Sequence, residues 1–116
     1  MVTGIDTHVY TVKDFDRALT FYKAFIGCEP TSHIPGTWAE FALDDGSAFA
    51  IGKHDNFPWQ PGNMVMFAVP DVPKAIELVN SLGGKAGKAD ESPVCFMSFS
   101  EDTEGNQIVI HRRKEH

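Results

Sequence analysis

The sequence predicts an α+β fold in which one strand–helix–strands unit is used twice. Residues 12–22 have a counterpart at residues 69–79: in both, an apolar run ends at valine, an aspartate follows two residues later, and an amphipathic helix begins. The matching valines, aspartates and alanines keep one constant offset along the chain. A fixed offset of this kind indicates an internal duplication.

Both predicted helices carry the expected end signals. Asp14 and Asp71 are predicted N-caps, because a carboxylate there accepts hydrogen bonds from the free amides of the first turn. Gly27 and Gly84 are predicted to end the helices, since glycine tolerates positive φ. Apolar residues recur at i, i+3 and i+4, so one stripe of each helix faces a sheet. We expect four residues of these stripes to be buried: Phe21, Phe25, Ile76 and Val79.

The remaining segments predict strands, turns and one connection. Residues 4–12 are rich in β-branched and aromatic types, which is typical of a strand. Asp-Gly at 45–46 separates two apolar runs and is a strong hairpin signal. Residues 53–62 are polar and contain two prolines, which favours a connection between the repeats. We therefore expect a single domain, 1–116, made of repeats at about 1–57 and 58–116.

Composition excludes several function classes. The chain has 116 residues, of which 42% are hydrophobic, so one domain can bury a real core. A net charge of −6 weighs against a nucleic-acid partner. Cys28 and Cys95 form no CxxC motif, so a reducing, cytoplasmic setting is expected. No apolar run approaches ~18 residues and the N-terminus lacks a signal-peptide pattern, so we expect no membrane partner.

Two segments resemble the glyoxalase/bleomycin-resistance/dioxygenase group, the vicinal-oxygen-chelate superfamily. Residues 6–22 are similar to the family's strand–Asp–helix opening that ends in Phe-Tyr. Residues 99–110 resemble its Asp-Pro-(Asp/Glu)-Gly-Asn turn, with Thr103 in place of the proline. With the repeat included, the resemblance covers nearly the whole chain. It implies two βαβββ modules that form a curved-sheet cup around a ligand, and usually a homodimer. The aromatics Phe57 and Trp59, expected to be exposed, would suit a dimer contact.

The resemblance also implies where a metal would be held. Metal-dependent members, such as lactoylglutathione lyases and extradiol dioxygenases, use His, Glu or Gln ligands from the first and last strands of the modules. The corresponding positions here are Thr7, Ala50, Met64 and Val109. None of them supplies an imidazole or a carboxylate. We therefore expect no metal and no cofactor.

Three polar residues are candidates for chemistry. A register slip of one residue would turn His8 into the cup, but the family register places it with Tyr10 on the helix side, so we interpret it as a structural or edge histidine. Glu40 and His111 are the catalytic candidates, because a carboxylate and an imidazole in an apolar cavity suit acid–base work. The alternative is that Glu40 is solvated at the rim and His111 merely begins the basic tail.

The resemblance, combined with strand alternation, implies which residues form the wall of the cup; the wall is apolar and contains soft methionines and one large aromatic, as small-molecule sites do. The predicted ligand-binding residues are Thr7, Trp38, Glu40, Met64, Met66, Gln107, Val109 and His111. The wall also includes Val9, Thr11 and Ala50.

Three functions stay open at this point. The first is a metal-independent small-molecule-binding protein, similar to drug-sequestering bleomycin-resistance proteins, and the missing metal ligands favour it. The second is a metal-dependent lyase, isomerase or dioxygenase with an atypical ligand set, so enzyme activity stays undecided. The third is a dimeric interaction module without a small-molecule ligand.

Overall fold

The computed structural model describes residues 1–3, 5–54, 58–62 and 64–114, and it confirms the α+β class. The chain divides into two compact units, Met1–Gln60 and Pro61–His116. Each unit contains one α-helix and one mixed sheet. Within the described ranges, no helix has the length and apolar content needed to cross a membrane.

The first unit has the order strand–helix–strand–strand–strand. Its elements are β1 (His8–Thr11), α1 (Phe15–Tyr22), β2 (Ser32–Ile34), β3 (Trp38–Ala42) and β4 (Ala48–Gly52). In space the strand order is β1-β4-β3-β2, with β1 parallel to β4 and the other pairs antiparallel. A parallel pair needs a crossover connection, and α1 begins that crossover.

An aromatic cluster fixes α1 to one face of the first sheet. The Tyr22 ring lies 4.8 Å from the Phe49 ring, and Tyr10 meets Phe49 edge-on at 5.5 Å. All three residues are buried. Residues of the opposite parity therefore lie on the other face. We call it the open face of the first sheet and define it by Val9, Thr11, Trp38, Glu40 and Ala50.

The hairpin between β3 and β4 confirms the Asp-Gly prediction. Gly46 has a φ of +87°, a conformation that favours glycine. The Ser47 hydroxyl donates to Asp45 Oδ1 at 2.6 Å and the Ser47 amide donates to the same oxygen at 3.0 Å. These two bonds favour the charged carboxylate, so they lower the pKa of Asp45 from its ordinary value.

The second unit repeats this order with an interrupted edge strand. Its elements are β5 (Met64–Ala68), α2 (Val72–Ser81), β6 (Lys85–Ala86), β7 (Asp90–Glu91), β8 (Cys95–Glu101) and β9 (Gln107–Arg113). The sheet order is β5-β9-β8-β6, β7 also pairs with β8, and β5 is parallel to β9. Because Lys85 pairs with Glu101 but Asp90 with Met97, β6 and β7 are two parts of one edge strand separated by a bulge.

Gly87 permits the close backbone approach beside this bulge. Its amide donates to the Phe99 carbonyl at 3.0 Å, and a Cβ at residue 87 would lie only 2.7 Å from that carbonyl oxygen. The buried Ser98 hydroxyl donates to the Gly87 carbonyl at 2.8 Å. A side chain at residue 87 would therefore push the edge strand away from β8.

The helix ends agree with the sequence except at one glycine. Asp14 Oδ1 accepts from the Arg17 amide at 3.1 Å, and Asp71 Oδ1 accepts from the Lys74 amide at 3.0 Å. Both N-cap predictions are therefore confirmed. Gly27 takes positive φ as predicted. The prediction of Gly84 is wrong, because Gly83 takes that role with a φ of +89°.

The shift of the helix-ending glycine by one residue, from Gly84 to Gly83, has a local cause. The first helix continues into a π-helical turn, Lys23–Gly27, whereas the second helix ends without one. A π turn accommodates more residues per turn than an α turn. Counted from the N-cap to the positive-φ glycine, the first segment, Asp14 to Gly27, is therefore one residue longer than the second, Asp71 to Gly83.

A buried polar turn joins β8 to β9. Asp102 Oδ1 accepts from the Glu104 and Asn106 amides, and Asp102 Oδ2 accepts from Asn106 Nδ2 at 2.9 Å. Asn106 Oδ1 accepts from the Gly62 amide. Asp102 and Asn106 are both buried, so they satisfy one another. The turn thereby ties the start of β9 to the segment that leads into β5.

Two of the four core predictions need correction. Phe21 and Val79 are fully buried as predicted. Phe25 is half-buried because it lies in the π turn, although it still stacks on Phe21 at 5.7 Å. Ile76 is half-buried because it lies beside the stripe formed by Ala75 and Val79, which are the residues that face the sheet.

We expect Phe21→Ala to lower the free energy of unfolding by about 3–5 kcal/mol, since it leaves a cavity in the first core. Phe25→Ala is the matched control and should cost clearly less, because that side chain is already partly exposed to water. Urea unfolding of both variants measures the difference. A larger loss for Phe25→Ala would contradict the placement of the π turn.

Candidate functional site

The open face of the first sheet carries a carboxylate beside a small apolar floor. Strand pairing places Glu40, Ala50 and Val9 in one row across β3, β4 and β1. Ala50 is fully buried and Val9 is 44% exposed. Trp38 and Glu40 are half-buried, on the face that strand alternation predicts.

The main chain of Glu40 is fixed while its carboxylate is available. The Thr31 amide and hydroxyl both donate to the Glu40 carbonyl, at 2.7 and 3.1 Å. Among the described residues, the Glu40 carboxylate has no hydrogen-bond or ion-pair partner. A half-buried carboxylate of this kind can accept a hydrogen bond from, or pair with, an incoming polar group.

The open face of the second sheet is more apolar. We define it by Met64, Met66, Met97, Phe99, Gln107, Val109 and His111. Pairing places Met66, Val109 and Phe99 in one row across β5, β9 and β8. Val109 is fully buried, whereas Met66 and Phe99 are 53% and 59% exposed, and Met64 is 50% exposed. Two thioethers and an aromatic ring thus stand around a buried valine.

Phe99 and Met97 are members of this face that the sequence reasoning missed. Strand β8 reverses the usual pattern, because its serines, Ser98 and Ser100, are buried on the helix side while Phe99 is exposed. A prediction from polarity alone would therefore assign the two faces of β8 the wrong way round. The signal that identifies Phe99 is the turn at 102–106, which sets the register and places Phe99 opposite Val109.

A shallow recess lies at the edge of this open face. Its volume is about 330 Å³, and its lining includes Met64, Phe99 and Gln107 from the open face, Glu101 from the end of β8 and Lys85 from the edge strand β6. The recess therefore adds charged groups to one end of an apolar surface.

The two catalytic candidates lie in different units. Glu40 belongs to the first sheet, and His111 lies inside β9, where it pairs with Met97 and with Ala68. His111 is half-buried, and β9 continues beyond it to Arg113. An acid–base role for the two residues stays a prediction.

Thr11, expected in the wall, is engaged by the connection between the repeats. Its hydroxyl donates to the Gln60 carbonyl at 3.0 Å and accepts from the Gln60 amide at 2.9 Å. The expectation of an exposed Trp59 is wrong, because Trp59 is half-buried and Lys13 Nζ lies 3.9 Å from its ring centre, a cation–π contact. Phe57 lies outside the described residues.

His8 is exposed at the start of β1, which is an edge strand. Its Cα pairs with that of Phe49, a residue of the helix side, so the register agrees with the predicted one. Thr7 is half-buried and directly precedes β1.

The four positions at which the resemblance implies metal ligands do not fit a divalent ion. They hold a hydroxyl at Thr7, a methyl group at Ala50, a thioether at Met64 and an isopropyl group at Val109. Divalent Zn, Ni, Mn and Fe sites in proteins use imidazole, carboxylate or thiolate groups. In the part of the chain that the structure describes, no three His, Cys, Asp or Glu side chains are grouped closely enough to hold a metal ion.

Solved structures share this architecture, although no family model and no curated protein matches the chain. A glyoxalase/bleomycin resistance protein from Catenulispora acidiphila is 22% identical over 94% of this chain and 98% of that chain, with a TM-score of 0.72. TnmS3, an antibiotic-binding protein from a Streptomyces species, is 16% identical over 97% and 98%, with a TM-score of 0.78. A lactoylglutathione lyase from Agrobacterium tumefaciens is 16% identical over 97% and 95%, with a TM-score of 0.72. At these identities the likeness shows the fold alone.

Proposed function

We propose that this chain, which has the glyoxalase/bleomycin-resistance fold, is a metal-independent protein that binds an apolar small molecule. The observation that carries the proposal is the row of Met66, Val109 and Phe99, with Met64 beside it. Exposed large apolar side chains grouped on one sheet face are typical of a binding surface. The same row holds Val109 at a position where metal-dependent members are expected to carry a carboxylate.

The chemistry of each open face, taken by itself, supports a flat or irregular apolar ligand. Thioethers are flexible and polarisable, so Met64 and Met66 can adapt to many shapes. Phe99 and Trp38 offer aromatic faces for stacking. On the first open face, Glu40 adds one negative charge near Trp38, which would orient a ligand bound to that face through a hydrogen bond or an ion pair. One structural neighbour is named an antibiotic-binding protein, which agrees with this class of ligand.

An enzyme with an atypical site is the second candidate. Glu40 and His111 are both half-buried on open faces, and neither side chain has a polar partner among the described residues. Groups with unused hydrogen-bonding capacity suit proton transfer. In this candidate each side chain would act on a substrate bound to its own open face.

We also propose a reducing, cytoplasmic location. Cys28 is exposed, Cys95 is buried, and both are free thiols. An exposed free thiol is best preserved where glutathione and thioredoxin keep cysteines reduced. Oxidation of Cys28 to an intermolecular disulfide in freshly lysed cells would contradict this location.

We expect a library of neutral and cationic aromatic fragments to shift the methyl signals of the methionines on the second open face. The chain has four methionines, and Met64, Met66 and Met97 lie on that face, whereas Met1 is fully exposed at the N-terminus. Labelling the methionine methyl groups for NMR therefore gives three reporters and one internal control. Hits that leave all three reporters unshifted would contradict the proposed surface.

The variant Glu40→Gln separates charge from packing on the first open face, where the indole N–H signal of Trp38 is the NMR reporter. Cationic fragments should bind more weakly to it, because they lose a partner of opposite charge, while neutral fragments keep their affinity. Glu77→Gln is the matched control, since it removes the same charge from an exposed position on α2. Equal weakening by both variants would mean that only net charge matters.

We propose a homodimer as the assembled form. The proposal rests on the family resemblance and on Ile34, which is 56% exposed on the edge strand β2. The unpaired backbone groups of an edge strand can pair with a second chain. Sedimentation equilibrium at micromolar concentration should give twice the chain mass of 12.8 kDa. A single species of the chain mass would contradict it.

A further inference from the structure

A second pocket lies on the helix side of the second sheet. Its volume is about 330 Å³ and it is lined by Pro70, Asp71, Val72, Pro73, Ala89, Phe96 and Arg112. Phe96 pairs with Arg112 and shares the parity of Ser98 and Ile110, which are buried on the side of α2. The pocket is therefore separated from the second open face by the sheet itself.

The pocket has an apolar lining and a size suited to a small ligand. Val72 is buried at the first turn of α2, and Phe96 is half-buried. Two prolines and an alanine complete most of the wall. Ligand pockets usually measure about 300–1,000 Å³ and combine apolar walls with a few polar groups.

Arg112 supplies the polar group. Its guanidinium carbon lies 5.6 Å from the centre of the Phe96 ring, and Lys114 Nζ lies 5.0 Å from the same ring. Lys114 is paired with Glu91. Arg112, by contrast, has no acidic partner among the residues that the structure describes. One cation is thus neutralised and the other is available beside the pocket.

We propose that this pocket binds a carboxylate carried on an apolar body. The guanidinium of Arg112 presents paired donors that match the two oxygens of a carboxylate, and Phe96 and Val72 contact the apolar part. Asp71 also lines the pocket and keeps its negative charge while its Oδ1 accepts from the Lys74 amide at 3.0 Å, so we place the ligand carboxylate at Arg112 and the apolar body toward α2. The inference concerns different residues from the proposed function and does not rest on it.

Two sources share this ligand chemistry: a free aromatic or branched acid, and the C-terminal apolar residue of a peptide. Three probes distinguish them in backbone NMR titrations of the whole chain: 3-phenylpropionate, N-acetylphenylalanine and N-acetylphenylalaninamide. We expect at least one acid to shift the amides of Val72, Phe96 and Arg112 in a saturable manner. The neutral amide should bind about tenfold more weakly or worse, because it lacks the charge that pairs with Arg112.

The variants test the role assigned to Arg112. Arg112→Gln should weaken the acid about tenfold or more. Arg113→Gln removes the same charge from the next residue of β9, whose side chain points to the other face, and should change affinity less than about twofold. Tighter binding of 3-phenylpropionate would indicate a free acid, and tighter binding of N-acetylphenylalanine would indicate a peptide terminus.

Three results would overturn the inference. The first is that neither acid shifts the pocket amides at millimolar concentration. The second is equal affinity for the acid and the neutral amide. The third is equal weakening by Arg112→Gln and Arg113→Gln, which would show attraction by net charge alone. Because the reporters are backbone amides of α2, β8 and β9, these results are read separately from the methionine methyl signals.

Discussion

Parallel pairing of the first and last strands of each unit is the constraint on which the rest of the structure depends. Strands β1 and β4 pair in parallel, as do β5 and β9. Two parallel neighbours cannot be joined by a tight turn, so the chain must cross over one face of the sheet. The helix of the crossover covers that face, and the residues of opposite parity are left on the other. Each unit thereby buries one face under its helix and leaves one open face.

The same pairing decides what the open faces can do. Ala50 lies opposite Val9, and Val109 lies opposite Met66, so two of the four positions implied as metal sites, Ala50 and Val109, fall inside the two parallel pairs. Small and branched apolar residues at these central positions are fully buried. Around Val109 the longer side chains of Met64, Met66 and Phe99 stand exposed. The resulting surface suits packing and stacking instead of metal coordination.

Local sequence chemistry predicted the parts of the fold that depend on single residues. The caps at Asp14 and Asp71 and the turn at Asp45 follow from carboxylates that accept nearby amides, which can be read from the sequence. The placement of Trp38 and Glu40 away from α1 follows from strand alternation. These features need no knowledge of the tertiary structure.

Features that depend on neighbouring elements could not be predicted in the same way. The π turn adds one residue between the N-cap and the positive-φ glycine without a distinct sequence signal, so the role of Gly83 and the partial exposure of Phe25 were not predicted. Phe99 was not predicted to lie on the open face, because the buried serines on β8 reverse the usual polarity pattern. Trp59 was expected to be exposed because its contact with Lys13 joins residues far apart in sequence. The pocket beside Arg112 is formed where α2, β8 and β9 pack together, so no single sequence motif predicts it.

Titration of the purified, chelator-treated chain with Zn²⁺, Ni²⁺, Mn²⁺ and Fe²⁺ tests the central claim most directly. Metal independence predicts no tight stoichiometric binding of any of these ions, and fragment affinity that is the same with and without chelator. The contradicting result is one tightly bound ion per chain that is lost in His8→Ala or His111→Ala. His33→Ala, which removes an imidazole stacked on Phe15, should leave such an ion in place.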